Sequence, residues 1–242
     1  MNQNRKNSTE RSSSSYHPGL TKQEIHRQLK QLAKPQLWKF VVALAMDWLV
    51  IGGAMLCAAI WPAWWVCLAS VIVIGTRQHA LGVLGHEAAH YTATRNRKTN
   101  DTIGMLLCFW PIGGSLTGYR SFHQRHHRHL GTEHDPERHF FKAEEWKIPV
   151  KTAAPMWRFI RGCLGMQILD YAKLIHSLIP KSKIEWVGIP MWWMGFATIL
   201  WMLDSLWLLG LYAIAIMLLK IYKNICVIRV PIILIITLWF LM

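Results

Sequence analysis

Residues 63–91 read AWWVCLASVIVIGTRQHALGVLGHEAAHY, and this single run decides the fold. Its first half, Ala63 to Thr76, is apolar. Its second half carries His79, His86 and His90, and no helix breaker separates the halves. The run predicts one helix that starts in hydrocarbon, passes Arg77 and continues out of the lipid to about Tyr91. Upstream, Phe40 to Ile60 carries one charge, Asp47, and has the length of about 20 residues that a helix needs to cross a bilayer. Pro62 breaks that helix. Trp61, Trp64 and Trp65 gather at the break, as indoles do where an apolar ring and a wet N–H are both served. The two helices read as a hairpin.

Downstream, residues 92–100 read as a polar, basic loop. Residues 101–117 are apolar but contain Pro111, Gly113 and Gly114, which suits a re-entrant or surface-lying piece better than a clean span. Tyr119 to Gly131 reads as a polar helix dense in histidine, and residues 132–183 are mixed, basic and amphipathic in places. Ile184 to Leu219 is too long for one span and suits a tight hairpin turning near Asp204 to Gly210. All 27 lysines and arginines lie outside Phe40–Thr76 and Ile184–Leu219. By the positive-inside rule, the N-terminus and the histidine region face the cytoplasm. The expected fold class is all-α integral membrane: about four transmembrane helices in two hairpins with a cytoplasmic, histidine-rich helical cap.

The formal charge of +14 flanks apolar blocks, so it fits a face held against anionic lipid, and no nucleic-acid module is present. The five cysteines are scattered without metal-site spacing and read as buried reduced thiols. Residues 1–20 lack the apolar core of a signal peptide and read as a disordered cytoplasmic tail. A short helix over 21–34, with Ile25, Leu29 and Leu32 on one face, is expected to lie on the membrane surface.

Nine of the twelve histidines fall between His79 and His139. On a helix, His79, His86 and His90 project within about 40° of one another. His123, His126 and His127, in HQRHH, gather on one face by their i, i+3, i+4 spacing. Neutral imidazole suits iron, zinc and copper. His86, His90, His123, His126 and His127 are therefore the expected metal ligands, with His79, His129 and His134 as possible additions. A lone surface histidine is ordinarily just solvated, which covers His17, His26 and His176. Asp135 and Glu137 are candidate carboxylates for orienting the rings.

HEAAH at the end of a second span, HQRHH about thirty residues later and then Asp135-Pro136-Glu137 resemble the membrane fatty acid desaturase and hydroxylase superfamily. The likeness covers about residues 36–220, so 21–220 reads as a desaturase-like membrane domain. The resemblance implies a non-haem di-iron centre held by histidines on the cytoplasmic side. It also implies use of dioxygen, removal of hydrogen from an unactivated C–H bond of an acyl lipid, and electrons from ferredoxin or cytochrome b5. Desaturation and hydroxylation share these boxes. The chemistry agrees: C–H cleavage needs a redox-active metal, and a site at the bilayer boundary is reachable by an apolar chain.

The family has a third box, another HxxHH, after the fourth span, and this chain has no histidine beyond His176. Residues 221–242 instead form an atypical, isoleucine-rich apolar tail. A truncation or frameshift near 213–225 would account for this and would give an inactive relative. A divergent site using His79, His129, His134 or His139 is the alternative. HEAAH also matches HExxH, the zinc-protease helix in which the Glu is general base. That reading leaves HQRHH unexplained. A bis-histidine haem carrier would place its ligands within the spans.

Overall fold

The computed structural model describes residues 21, 23–25, 27, 36–137 and 178–225. The expected surface helix therefore lies mostly outside the described residues, as do His17, His26, His139, His176 and the 226–242 part of the tail. Residues up to Pro35 form a unit of their own. Within it Thr21 and Glu24 cap one another: the Thr21 amide donates to Glu24 Oε2 at 2.8 Å, and the Glu24 amide donates to Thr21 Oγ1 at 3.2 Å.

The rest is helical, with no strand among the described residues. Helix α1 spans Leu37–Ile60 and α2 spans Trp64–Ala89. Both are long and apolar enough to cross a membrane, with mean hydropathy of 2.1 and 1.4. They follow the predicted limits to within three residues, because Pro62 and the Trp cluster end one and start the other. Trp61, Trp64 and Trp65 stand exposed at that turn. Along the hairpin, Ser70 Oγ donates to the Ala54 carbonyl at 3.0 Å, and Arg77 reaches buried Asp47 at 3.2 Å.

Helix α3, Arg97–Ile103, begins inside the expected loop because the Asn96 side chain accepts the Thr99 amide at its start. The apolar piece after it is a broken helix packed on α2: a π turn at Gly104–Phe109, then a 3₁₀ turn at Trp110–Ile112. Pro111 has no N–H, so the Leu107 carbonyl loses its helical partner. The Trp48 indole donates to it instead, at 3.1 Å. The Gly114 amide closes on the Phe109 carbonyl at 2.8 Å, and Gly113 takes the left-handed φ of 67° that ends the segment.

Helix α4, Leu116–His129, starts at Ser115, whose side chain accepts the Gly118 amide. Helix α5, Lys183–Met202, and helix α6, Leu208–Ile225, turn through Asp204, the residue at which the sequence predicts the turn to begin. Helix α2 is the hub, packing on α1, α4, α6 and the π turn. A Cβ on Gly75 would sit 3.3 Å from the Ala215 carbonyl oxygen, so α6 approaches α2 closely there. Two candidate spans are established by length and composition. The second hairpin forms as a pair of helices, with Trp186, Met191, Met194 and Trp201 turned outward.

Candidate metal centre

Helix α2 delivers His86 and His90, the latter at its C-terminal cap, and α4 delivers His123 and His127. One ring nitrogen from each of these four lies within 4.8 Å of the other three. His123 Nε2 stands 3.0 Å from His90 Nε2 and 2.9 Å from His127 Nε2. Two nitrogens bound at right angles to one metal, each at about 2.1 Å, are about 3 Å apart. The cluster thus has the spacing of a coordination sphere, and the donor set suits a first-row metal. Neutral imidazoles meeting Nε2 to Nε2 in threes cannot all be satisfied by sharing protons, whereas a cation at their centre satisfies each.

The cluster is electrostatically prepared for a cation. Three of its rings, His86, His90 and His127, sit at or near the C-terminal ends of α2 and α4, where unpaired carbonyls carry partial negative charge. Burial first, and then the neighbouring rings, hold the His123 imidazole down at about 4. The same causes lower His90. Both rings are therefore neutral, the ligand form, near pH 7. Tyr119 stacks on His123 at 5.2 Å and an interplanar angle of 12°. His123 Nδ1 is buried without a hydrogen-bond partner among the described residues.

Outer groups fix the rings. His86 Nδ1 pairs with Glu87 Oε1 at 3.2 Å, and Thr92 Oγ1 donates to Glu87 Oε2 at 2.8 Å. His126 turns aside from the four. Its Nδ1 meets Asp135 Oδ1 at 2.8 Å, and its Nε2 lies 3.7 Å from Glu137 Oε2. Both carboxylates singled out from the sequence therefore address His126. Burial opposes the charged form of Asp135, but the His126 contact and the Glu137 amide hold its pKa below the usual carboxylate range. His129 and His134 face each other at 6.0 Å, apart from the four. His79, half-buried two turns before His86 on α2, is not one of the four either.

Three framing residues escape sequence reasoning. Arg120, on α4, donates to the Ala88 and Ala89 carbonyls at 3.0 Å each and pairs in fork geometry with Asp101. Asn100 donates to the Ala88 carbonyl at 2.8 Å. Together they cap the end of α2 beside His90. Tyr91 then ends the helix with a left-handed φ of 61°, a position glycine usually fills, and the Arg120 guanidinium lies 4.0 Å from its ring centre. An asparagine and an arginine in a basic sequence carry no signal of this role, since their partners are backbone carbonyls of another helix.

The described residues thus join two helices long and apolar enough to cross a membrane to four imidazoles that converge from two helices. The chain belongs to the fatty acid desaturase family, whose sequence profile matches residues 61–242. It is similar to the dihydrorhizobitoxine desaturase of Bradyrhizobium elkanii, 29% identical over 197 residues, which cover 76% of this chain and 55% of that protein. It is also similar to a chloroplastic omega-3 fatty acid desaturase of Ricinus communis, 32% identical over 60% of this chain and 31% of that protein. The chloroplastic sn-2 acyl-lipid omega-3 desaturase (ferredoxin) of Helianthus annuus is 30% identical over 60% and 32%. The chain thus spans about half the length of the first relative and a third of the plastid ones. No solved structure matches it.

Proposed function

We propose that the chain is a membrane non-haem iron oxidoreductase that uses dioxygen to desaturate an acyl-lipid chain, with hydroxylation as the variant outcome at the same site. The observation that carries this reading is the convergence of His86, His90, His123 and His127 at coordination spacing. Iron bound there supplies the redox chemistry for C–H cleavage. Glu87 holds the His86 ring so that Nε2 is presented. Burial keeps His123 neutral, and Arg120 keeps the end of α2 wound. The four rings suffice for one metal. His126, with Asp135 on its Nδ1, is the ring best placed to serve a second ion through Nε2, and His79 and His129 are further candidates. The site faces the cytoplasm, below four spans formed by α1, α2, α5 and α6. Exposed Arg95, Arg97, Lys98, Arg125 and Arg128 favour an acidic electron donor such as ferredoxin over a neutral one.

The test is the full chain in lipid nanodiscs with iron, a ferredoxin and its reductase, read by mass spectrometry of the lipid. Dioxygen-dependent loss of two hydrogens from an acyl chain is the expected result. Iron-loaded, reducible protein that leaves every acyl chain intact would refute the acyl-lipid substrate. A second reading, a small amino-acid-derived substrate in place of an acyl lipid, draws support from the dihydrorhizobitoxine desaturase of Bradyrhizobium elkanii, whose match covers 76% of this chain. Supplying dihydrorhizobitoxine to the same preparation distinguishes the two. The zinc-protease reading is disfavoured by Glu87, whose carboxylate is engaged by His86 and Thr92 instead of standing ready as a base. One zinc per chain with iron excluded would revive it.

A further inference from the structure

Glu185 is fully buried. It stands three residues into α5 from Ser182, whose Oγ accepts the Ile184 amide at 3.2 Å. A Ser-x-x-Glu helix start ordinarily closes on itself, the Glu returning to the amide of the cap. Here the carboxylate crosses to the first turn of α4. Oε1 accepts the Leu116 amide at 2.7 Å, while Oε2 accepts the Ser115 hydroxyl at 2.8 Å and the Thr117 amide at 3.2 Å. The Thr117 hydroxyl also closes on Oε2.

A helix begins with amides that have no partner inside it. Ser115 Oγ takes the Gly118 amide, and Glu185 takes those of Leu116 and Thr117. One carboxylate therefore occupies the positive ends of two helices at once. Gly118 permits the close approach: a Cβ there would collide with the Leu178 and Ile179 carbonyls that lead into α5. Helix α4 is the one that carries His123 and His127. Its start is fixed by Glu185 and its middle by Arg120 against the end of α2.

We infer that Glu185 is a positioning residue for the metal centre. It pins the start of α4 to the second hairpin, so that His123 and His127 meet His86 and His90 at ligating distance. The inference rests on the reading of those four histidines as ligands. Glutamine at 185 keeps one acceptor, for Leu116, while its NH₂ meets two hydroxyls that can turn to accept but also faces the Thr117 amide, which cannot. Alanine leaves the buried amides of α4 without partners.

The experiment compares wild type, Glu185→Gln, Glu185→Ala and Asp47→Asn as full chains in nanodiscs. Co²⁺ affinity and the visible Co²⁺ spectrum are read together with thermal unfolding. Asp47→Asn removes a buried carboxylate from the α1–α2 hairpin and reports destabilisation alone. Glu185→Ala is expected to weaken Co²⁺ about tenfold and alter its spectrum, with Glu185→Gln intermediate. Asp47→Asn should melt earlier with wild-type affinity and spectrum. Unchanged Co²⁺ binding in Glu185→Ala, or an equal loss in Asp47→Asn, would overturn the positioning role. If the wild type takes up no Co²⁺, the ligand assignment itself falls. Glu185 is then judged on metal-free hydrogen exchange: faster exchange over 116–129 with unchanged 37–60 supports the pin, and unchanged exchange over 116–129 removes it.

Discussion

At the scale of single residues, the division of labour among the histidines is the sharpest claim. His90 and His127 are two of the four rings that converge, whereas His134 stands outside that group and faces His129. Replacing His90 or His127 by alanine should cost iron affinity more than the roughly 10–100-fold that follows loss of an outer hydrogen-bond partner. His134→Ala should leave it nearly unchanged, and equal iron content in all three, by elemental analysis, would defeat the assignment. A pH dependence follows from His123. Its folded pKa of about 4 lies below the ordinary 6.5, so folding favours the neutral ring. This contribution is complete above pH 6.5 and is lost as pH falls towards 4, because the unfolded chain takes up the proton first. The metal-free chain should accordingly melt at progressively lower temperature across that window, and a flat profile would contradict the burial of the ring.

At the scale of elements, the tight seam between α2 and the π turn is the place to press. A Cβ on Gly104 would lie 2.7 Å from the Ala88 Cβ, which is anchored to a fully buried backbone position between His86 and His90. Gly104→Ala should therefore part the two elements, costing about 1–3 kcal/mol of stability and part of the metal affinity. Chemical denaturation and Co²⁺ titration would measure both. Arg120→Ala removes the cap on α2 and should cost about 1–3 kcal/mol, with His90 the ring most displaced.

These elements also show what could be read in advance. The first hairpin is legible because apolar length, Pro62 and the Trp cluster are local signals, and the histidine spacing places imidazoles on one face of each helix. The start of α3 inside an expected loop was set by a single asparagine cap. Two features were not legible: the π turn, relieved by Trp48 at its orphaned carbonyl, and the Arg120 and Glu185 bonds. Their partners are backbone groups far away in sequence. The Asp135-Pro136-Glu137 run by itself marks Asp135 as a candidate orienting carboxylate. That it would serve His126, and that His126 would stand apart from the four, depends on the turn after α4.

At the scale of the whole molecule, exposed positive charge gathers near the histidine cluster. Exposed cations stand on α3, on α4 and in the segment between α2 and α3, on or next to the helices that carry the four histidines. Electron transfer from an acidic ferredoxin should slow about tenfold or more as ionic strength rises from 0.01 to 0.15 M, when screening shortens to about 8 Å. Stopped-flow reduction would read this, and a salt-independent rate would assign the basic face to lipid alone.

The reach of Glu185 across the molecule bears on biosynthesis. Ser115 and Glu185 are 70 residues apart, so the ribosome completes both histidine-bearing helices well before it supplies the carboxylate that steadies one of them. At about 5–20 residues per second, the nascent chain spends several seconds with its imidazoles made but loosely aligned. On the proposed reading of the four histidines, firm metal binding would therefore follow synthesis of the later helix pair.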